Sequence, residues 1–333
     1  MKLIKQIGNF LKIPSLVFFI YRSYKVQKQW MQHSILHDLD DFVINHDHTL
    51  TKNDLYKIRF YYGLAVPVIG EMYKQLDGEK LTANERKSLT YLGGTTGLFD
   101  DFFDMEGTSM SHLKKILNSP DTNEAKTPSE KLFIQFYIMA LEHPNSEIIK
   151  RHYLEGFEAQ VESIKQQQPN LTQEEITQIT RQKGGIFILL YRSALEAKIS
   201  EQEKAIIFEI GFLGQLENDI FDIYKDYKAG ISTLATSTKS ISNLRLTYET
   251  SLNTIFELIN QSKFPKKNKK KFSRLFSIVA SRGLVCLDQL QKLETKNFEI
   301  TDFTREQLIC DMGTLKNNLK WLVYYINWNI NVK

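Results

Sequence analysis

Residues 95–107, TTGLFDDFFDMEG, set three aspartates among apolar and small residues. If this stretch is helical, Asp100 and Asp104 share one face, and Asp101 lies about 100° away at its edge. Like charges at this spacing repel each other, and burying an unpaired carboxylate is costly. The acids therefore lie either at a solvent-exposed helix end or beside bound divalent cations.

A second acidic cluster lies in GQLENDIFDIYKDYKAG, residues 214–230. On one helix, Asn218, Asp222 and Asp226 form a row that covers an arc of about 80°, and Asp219 lies just beside it. The row offers oxygen ligands only, which favours magnesium over zinc. Two such patches on apolar helices predict opposite walls of one cavity, with several magnesium ions around a polyphosphate. A solvated helix face is the alternative for each cluster.

The composition favours a large all-α protein. The chain has 333 residues, 42% of them hydrophobic, with 16 glycines and 7 prolines. Apolar residues recur at helical spacing in long segments without a linker or repeat, so we expect a single-domain bundle of about ten helical elements around a central apolar cavity. Cys286 and Cys310 are the only cysteines, which excludes a disulfide scaffold and favours the cytoplasm.

The N-terminal segment is basic and apolar. Residues 1–30 carry six lysines and arginines and no acid, around the apolar run IPSLVFFIY at 13–21, which is too short to span a bilayer. We expect residues 1–30 to form an amphipathic helix that packs on the main domain, residues 31–333. Peripheral contact of this helix with a membrane is the alternative. A second basic cluster, KFPKKNKKK at 263–271, has no aromatic residue between the lysines that follow its proline and predicts a solvated loop, not a nucleic-acid site.

The two acidic motifs resemble those of a known superfamily. DDFFD at 100–104 matches D-D-x-x-D, and NDIFDIYKD at 218–226 fits (N,D)-D-x-x-(S,T,G,D)-x-x-x-(E,D), the metal-binding motifs of class I isoprenoid enzymes. These include terpene synthases, trans-prenyl diphosphate synthases and the head-to-head squalene and phytoene synthases. RQKGGIFILLYRSALEA at 181–197 resembles the prenyl synthase helix whose lysine holds the diphosphate. The resemblance covers roughly residues 55–235 and implies an all-α bundle of the class I type.

The resemblance also implies roles for individual residues. Three magnesium ions are expected, with manganese as the alternative ion, and Lys183 and Arg181 would hold the diphosphate of an allylic substrate. A homodimer is the default assembly of the family. The metal ligands would be Asp100, Asp101, Asp104, Asn218, Asp219, Asp222 and Asp226, with Asp100, Asp104 and Lys183 as the catalytic set. The cavity wall would include Thr96, Phe99, Phe103 and Phe221, and Glu106 and Glu217 flank the motifs.

Two motifs of the chain-elongating prenyl synthases are missing from this sequence, which disfavours that branch of the superfamily. By the resemblance, a prenyl synthase that elongates its substrate would carry Gly-Lys-x-x-Arg early in its sequence and an arginine pair after the first motif. YKIRF at 56–60 has the wrong spacing and MEGTSMSHLKKI at 105–116 has no arginine. We therefore expect a class I terpene synthase acting on a C15 or C20 prenyl diphosphate. A trans-prenyl diphosphate synthase, a head-to-head prenyltransferase and a non-catalytic helical binding protein are the alternatives.

Overall fold

The computed structural model describes residues 2–34, 50–104, 109–168 and 170–328, except the side chains of Lys2, Ile4, His33, Ser34 and Asp104. Within these ranges the regular structure is helical and no strand occurs, which confirms the predicted all-α class. None of the helices in the described ranges contains a stretch long and apolar enough to cross a membrane. The helices are α1 (Lys2–Phe10), α2 (Ile13–Ser34), α3 (Lys52–Phe60), α4 (Val66–Tyr73), α5 (Ala83–Asp104), α6 (Met110–Asn118), α7 (Pro128–Ala140), α8 (Ser146–Ser163), α9 (Gln173–Ser193), α10 (Glu201–Phe221), α11 (Ile223–Lys228), α12 (Ile241–Gln261), α13 (Lys266–Gln291), α14 (Arg305–Leu308) and α15 (Leu315–Asn327).

The chain forms two compact units. The motif-1 unit comprises Val17–Glu158 and Leu189–Lys198 and contains DDFFD. The motif-2 unit comprises Met1–Leu16, Ala159–Ile188 and Ile199–Lys333 and contains NDIFDIYKD.

The motif-1 unit is built around α5, which packs against α7, α3 and the π-helical turn Tyr61–Ala65. Two adjacent glycines let these elements approach. A Cβ on Gly93 would lie 2.9 Å from the Tyr61 carbonyl oxygen, and one on Gly94 would lie 2.7 Å from the Phe136 ring. Because α5 is held this closely, its last turns, which carry the first motif, have a fixed position within the unit.

The start of α5 is fixed by a buried ion pair. Glu85 in its first turn is fully buried, and Lys74 donates to it over 3.0 Å. The backbone N–H groups of Thr82 and Glu196 also donate to the Glu85 carboxylate. Burial alone would raise the pKa of Glu85, but these three donors hold it below its usual value.

The motif-2 unit packs α10 against α12 and α13, α13 against α15, and α15 against α1. Large apolar side chains fill the space between these helices, with Leu216, Ile220, Ile255 and Leu287 fully buried. The first thirty residues form two helices in the structure, α1 and α2, where the sequence predicts one.

The loop predicted at 263–271 was wrong in part, because α13 begins at Lys266 inside the lysine cluster. Pro265 stands at the N-cap, and lysine is a good helix former once the proline is passed. Lys269 is buried, and its ammonium donates to the carbonyl oxygens of Asn260 and Ser262 at the end of α12. A lysine thus closes the α12–α13 connection by satisfying carbonyls that a helix end leaves unpaired.

Candidate functional site

The first motif occupies the last turn of α5. Asp100 is half-buried, and Asp101 forms an ion pair with Lys57 of α3 at 3.1 Å. The Asp101 and Lys57 side chains are about one third exposed, at 32% and 36%. The backbone of Asp104 ends the helix, whereas its side chain and Glu106 lie outside the described part of the chain. Asp101 therefore already has a protein cation as its partner.

Two tyrosines, the buried Tyr153 and the half-buried Tyr191, lie within the electric field of Asp100. The Tyr153 hydroxyl donates to Thr95 Oγ1 over 2.9 Å, and the Tyr191 and Thr96 hydroxyl oxygens are 2.6 Å apart. Burial raises the pKa of both tyrosines and the charge of Asp100 raises it further, although the threonine contacts oppose the shift. Thr96 thus lies beside Asp100 in a patch of neutral hydroxyls.

The phenylalanines of the first motif differ in burial. Phe99 is almost fully buried and makes edge contacts with Phe103 at 5.2 Å and with Tyr153 at 5.1 Å between ring centroids. Phe103 is half-buried and also contacts Phe157. Phe99 therefore belongs to the aromatic core of this unit, while Phe103 lies at the edge of that core.

The second motif was predicted on one continuous helix, and this was wrong at Asp222. The helix α10 ends at Phe221, and α11 begins at Ile223. Asp222 has φ −92° and ψ 10°, away from α-helical values, because this one residue turns the chain between the two helices. The N–H of Asp222 still donates to the Asn218 carbonyl and that of Asp226 to the Asp222 carbonyl, both over 2.9 Å. The row of Asn218, Asp222 and Asp226 therefore keeps its helical hydrogen bonds but changes direction at Asp222.

Two acids of the second motif are buried. Asp219 is 3% exposed, and Gln215 donates to its Oδ1 over 2.8 Å, while its Oδ2 has no hydrogen-bond partner among the described residues. Burial and the charges of Asp226 and Asp222 raise the pKa of Asp219 to about 7, against the lowering effects of Gln215 and Lys183. Burial and Asp222 likewise raise the pKa of Asp226 to about 6.

The other members of the row face solvent. Asn218 is exposed, and Asp222 is half-exposed with Lys225 as a loose partner at 3.7 Å. The cluster therefore grades from a buried acid, Asp219, to an exposed amide, Asn218. Each side chain of this cluster can offer an oxygen atom to a metal ion, from a carboxylate or from the Asn218 amide, and oxygen ligands are those that magnesium prefers.

Lys183 reaches this cluster because α9 and α10 touch at a pair of glycines. A Cβ on Gly184 would lie 2.1 Å from the Gly211 carbonyl oxygen, and one on Gly211 would lie 2.3 Å from that of Gly184. Only glycine permits this approach. Lys183 is half-buried, and no side chain in the described ranges forms an ion pair or hydrogen bond with its ammonium. Its charge lowers the pKa of Asp219 and Asp226.

The two predicted diphosphate-binding cations differ in their contacts. Arg181 forms an ion pair with Glu209, and its guanidinium lies 4.3 Å from the centroid of the Phe212 ring. These contacts occupy the guanidinium inside the unit. Lys183, two residues on, is the cation left to meet a ligand.

Sequence reasoning did not single out two residues that surround the second motif. The Tyr248 hydroxyl donates to Glu217 Oε2 over 3.0 Å, and the Arg282 guanidinium lies 5.4 Å from the Phe221 ring centroid. Burial raises the pKa of Glu217 to about 7, although Arg282 and Tyr248 lower it. Tyr248 and Arg282 come from α12 and α13, so no local pattern in the sequence could have joined them to the motif.

No group of three or more His, Cys, Asp or Glu side chains within the described ranges is arranged to hold a metal ion. The orphaned Oδ2 of buried Asp219, with Asp222 and Asp226 nearby, nevertheless fits a divalent cation, because such an ion would supply the missing positive charge. The convergence of the two motifs on one cavity stays a prediction.

Comparisons of the chain with protein-family models, with curated protein sequences and with solved structures found no match.

Proposed function

We propose that the protein is a class I terpene synthase that ionises a C15 or C20 allylic prenyl diphosphate and releases diphosphate. The observation that carries the proposal is the buried carboxylate of Asp219, with one oxygen unpaired, beside Asp226 and Lys183 in the motif-2 unit. The order and spacing of the two aspartate motifs supply the reaction class.

The residues of the second motif act as a cation site. Asp222 and Asp226 supply carboxylate oxygens, Asn218 supplies an amide oxygen, and Asp219 lies behind them as a buried acid. Magnesium, when bound, neutralises charge that develops on the leaving diphosphate, and manganese is the alternative ion. Burial and the neighbouring carboxylates, which raise the pKa of Asp219 and Asp226, support this role, because a bound cation would stabilise the charged forms of both acids.

Lys183 acts as the phosphate-binding cation. Its ammonium is half-buried and uncommitted among described side chains, so it can donate to a phosphate oxygen without breaking a protein contact. Arg181 supports this part of the site through its contacts to Glu209 and Phe212. In the first motif Asp100 and Asp104 bind cations, while Asp101 holds α5 to Lys57.

Head-to-head coupling of two prenyl diphosphates is the second candidate. The specific observation in its favour is the spacing of Asn218, Asp222 and Asp226, which resembles that of squalene and phytoene synthases as well. Such an enzyme releases two diphosphates for each product, whereas a terpene synthase releases one.

The test is a product screen. Purified protein is incubated with geranyl, farnesyl and geranylgeranyl diphosphates and magnesium, and the extract is analysed by mass spectrometry while released diphosphate is counted. The expected result is a terpene hydrocarbon or alcohol with one diphosphate per product. Asp226→Asn and Lys183→Met should each lower kcat by about 100-fold or more. The matched controls Asp302→Asn and Lys204→Met, at exposed positions of the same unit, should leave it unchanged.

The proposal would be overturned if no substrate, alone or with isopentenyl diphosphate, gave product or released diphosphate. A second readout is the binding of magnesium and inorganic diphosphate by titration calorimetry. A helical binding protein without this site would show no difference between wild type and Asp226→Asn in that titration.

A further inference from the structure

The helix α1 packs on the motif-2 unit through its polar side. The Asn9 side-chain amide donates to the carbonyl oxygens of Ile326 and Trp328, over 3.1 and 2.9 Å, and Asn9 is 5% exposed. Gln6 bonds to Asn327 at the end of α15. An amphipathic helix on a protein surface normally buries its apolar side instead.

The apolar side of α1 faces solvent as a consequence. Leu3, Ile7, Phe10 and, in the turn that follows, Leu11 are between 50% and 68% exposed. On the helical projection these positions cover an arc of about 100°, on the side away from Asn9. Exposing four large apolar side chains in one stripe is unfavourable unless something covers them.

A second exposed stripe lies on α15, the helix that α1 contacts. Leu315, Leu319 and Val323 are 76%, 55% and 55% exposed and recur every four residues, so they lie along one side of the helix. The next position in this row is Asn327, which is the residue that Gln6 bonds. The α15 row therefore leads to the residue that α1 contacts, and we call the two stripes together the α1–α15 apolar surface.

The two segments that carry these stripes are basic. Residues 2–34 and 312–328 contain no Asp or Glu, although the exposed Asp311 lies one turn before Leu315. Lys12 is exposed directly after the α1 stripe, and Lys316 is exposed at the edge of the α15 stripe. Basic side chains beside exposed Leu, Ile and Phe suit the headgroup region of an anionic bilayer.

We propose that the motif-2 unit docks on an anionic lipid bilayer through the α1–α15 apolar surface. Leu3, Ile7, Phe10 and Leu11 enter the boundary between headgroups and acyl chains, and Lys12 and Lys316 contact lipid phosphates. The docking is peripheral and independent of the proposed activity. It explains why α1 turns its polar residues toward the protein.

The test is flotation of the purified full-length chain with vesicles of phosphatidylcholine containing phosphatidylglycerol. Wild type should float with these vesicles, bind pure phosphatidylcholine vesicles much less, and be released as NaCl is raised, because salt screens the lysines. Ile7→Asp should lower the partition coefficient about tenfold or more, since it places a charge in the apolar contact. Lys12→Glu should lower it several-fold on anionic vesicles only.

Two further variants test whether a loss of flotation comes from the surface itself or from unfolding of the protein. Leu319→Asp, on α15, should reproduce the effect of Ile7→Asp, while Leu246→Asp, at an exposed leucine of α12 outside this surface, should float like wild type. All variants should melt like wild type because the substituted side chains are exposed.

Three results would overturn the proposal: equal flotation of wild type and Ile7→Asp, equal binding to neutral and anionic vesicles, or an absence of flotation by well-folded wild type. A dimer in light scattering that Ile7→Asp dissociates, without flotation of the wild type, would assign the surface to a second copy of the chain instead.

Discussion

The two aspartate motifs use the same residue type in opposite surroundings. Asp101 of the motif-1 unit is about one third exposed and paired with Lys57, so its charge costs little. Asp219 of the motif-2 unit is 3% exposed and has one oxygen without a partner in the described ranges, so its charge costs much more. A run of acids in a sequence therefore does not by itself require a bound cation. Burial without a partner does.

The largest expected difference between the two motifs is in how the free energy of unfolding depends on pH. In the absence of divalent ions the folded chain keeps a proton on Asp219 up to about pH 7, whereas the unfolded chain loses it near pH 4. Stability is therefore greatest below pH 4 for this group and falls as the pH rises toward 7. The free energy of unfolding should drop by up to about 4 kcal/mol over this window from Asp219 alone.

Urea unfolding at a series of pH values in EDTA measures this slope. Asp219→Asn should flatten it, whereas Asp302→Asn, an exposed acid of the same unit, should leave it as in wild type. Magnesium added at pH 7.5 should stabilise wild type more than Asp219→Asn. An unchanged slope in Asp219→Asn would mean that this carboxylate is not the buried group described above.

The next largest effect concerns the geometry that brings Lys183 to the acids. Gly211→Ala places a methyl group 2.3 Å from the Gly184 carbonyl oxygen, so α9 and α10 must separate. We expect a loss of about 3 kcal/mol or more of unfolding free energy. Thermal and urea melts measure it.

The matched control for this substitution lies one turn further along α10. A Cβ on Gly214 meets nothing within 4 Å, so Gly214→Ala should be stabilising by about 0.5–1 kcal/mol. If both alanine variants behaved alike, the glycine contact would not be the reason for the effect.

The smallest effect belongs to the first motif. Lys57→Met removes the partner of Asp101, and because the pair is partly exposed the loss should be below about 1 kcal/mol and should vanish in high salt. Double-mutant cycles with Asp101→Asn measure it, and Lys52→Met at an exposed position of the same helix is the comparison. A coupling energy of several kcal/mol between Lys57 and Asp101 would contradict the difference that we describe between the two motifs.

Helical periodicity was sufficient to predict the all-α class, because apolar residues at three- and four-residue spacing are a local signal. It failed at Lys266, where the loop prediction rested on charge although five of the first six residues after Pro265 are lysines, which are good helix formers. It also failed at Asp222, where a single residue leaves the helical path. Neither feature depends on hydrophobic pattern.

The acids and basic residues of the candidate site were predicted from the sequence, but Tyr248, Arg282 and the pairing of the charged side chains were not. Arg181 and Lys183 lie two positions apart, and the contacts of Arg181 with Glu209 and Phe212 distinguish them. The orientation of α1 was equally hidden, because an amphipathic pattern does not say which side faces the protein. Such choices depend on residues distant along the chain, here Asn9 and the carbonyl oxygens at the end of α15.

The glycine contact between α9 and α10 has a consequence for how this protein can change. Main-chain atoms of the two helices touch at Gly184 and Gly211, so the distance between the backbones that carry Lys183 and the acids of α10 is set by this contact. Substitutions of the apolar side chains around the two helices therefore leave this backbone distance intact, provided that both glycines are kept.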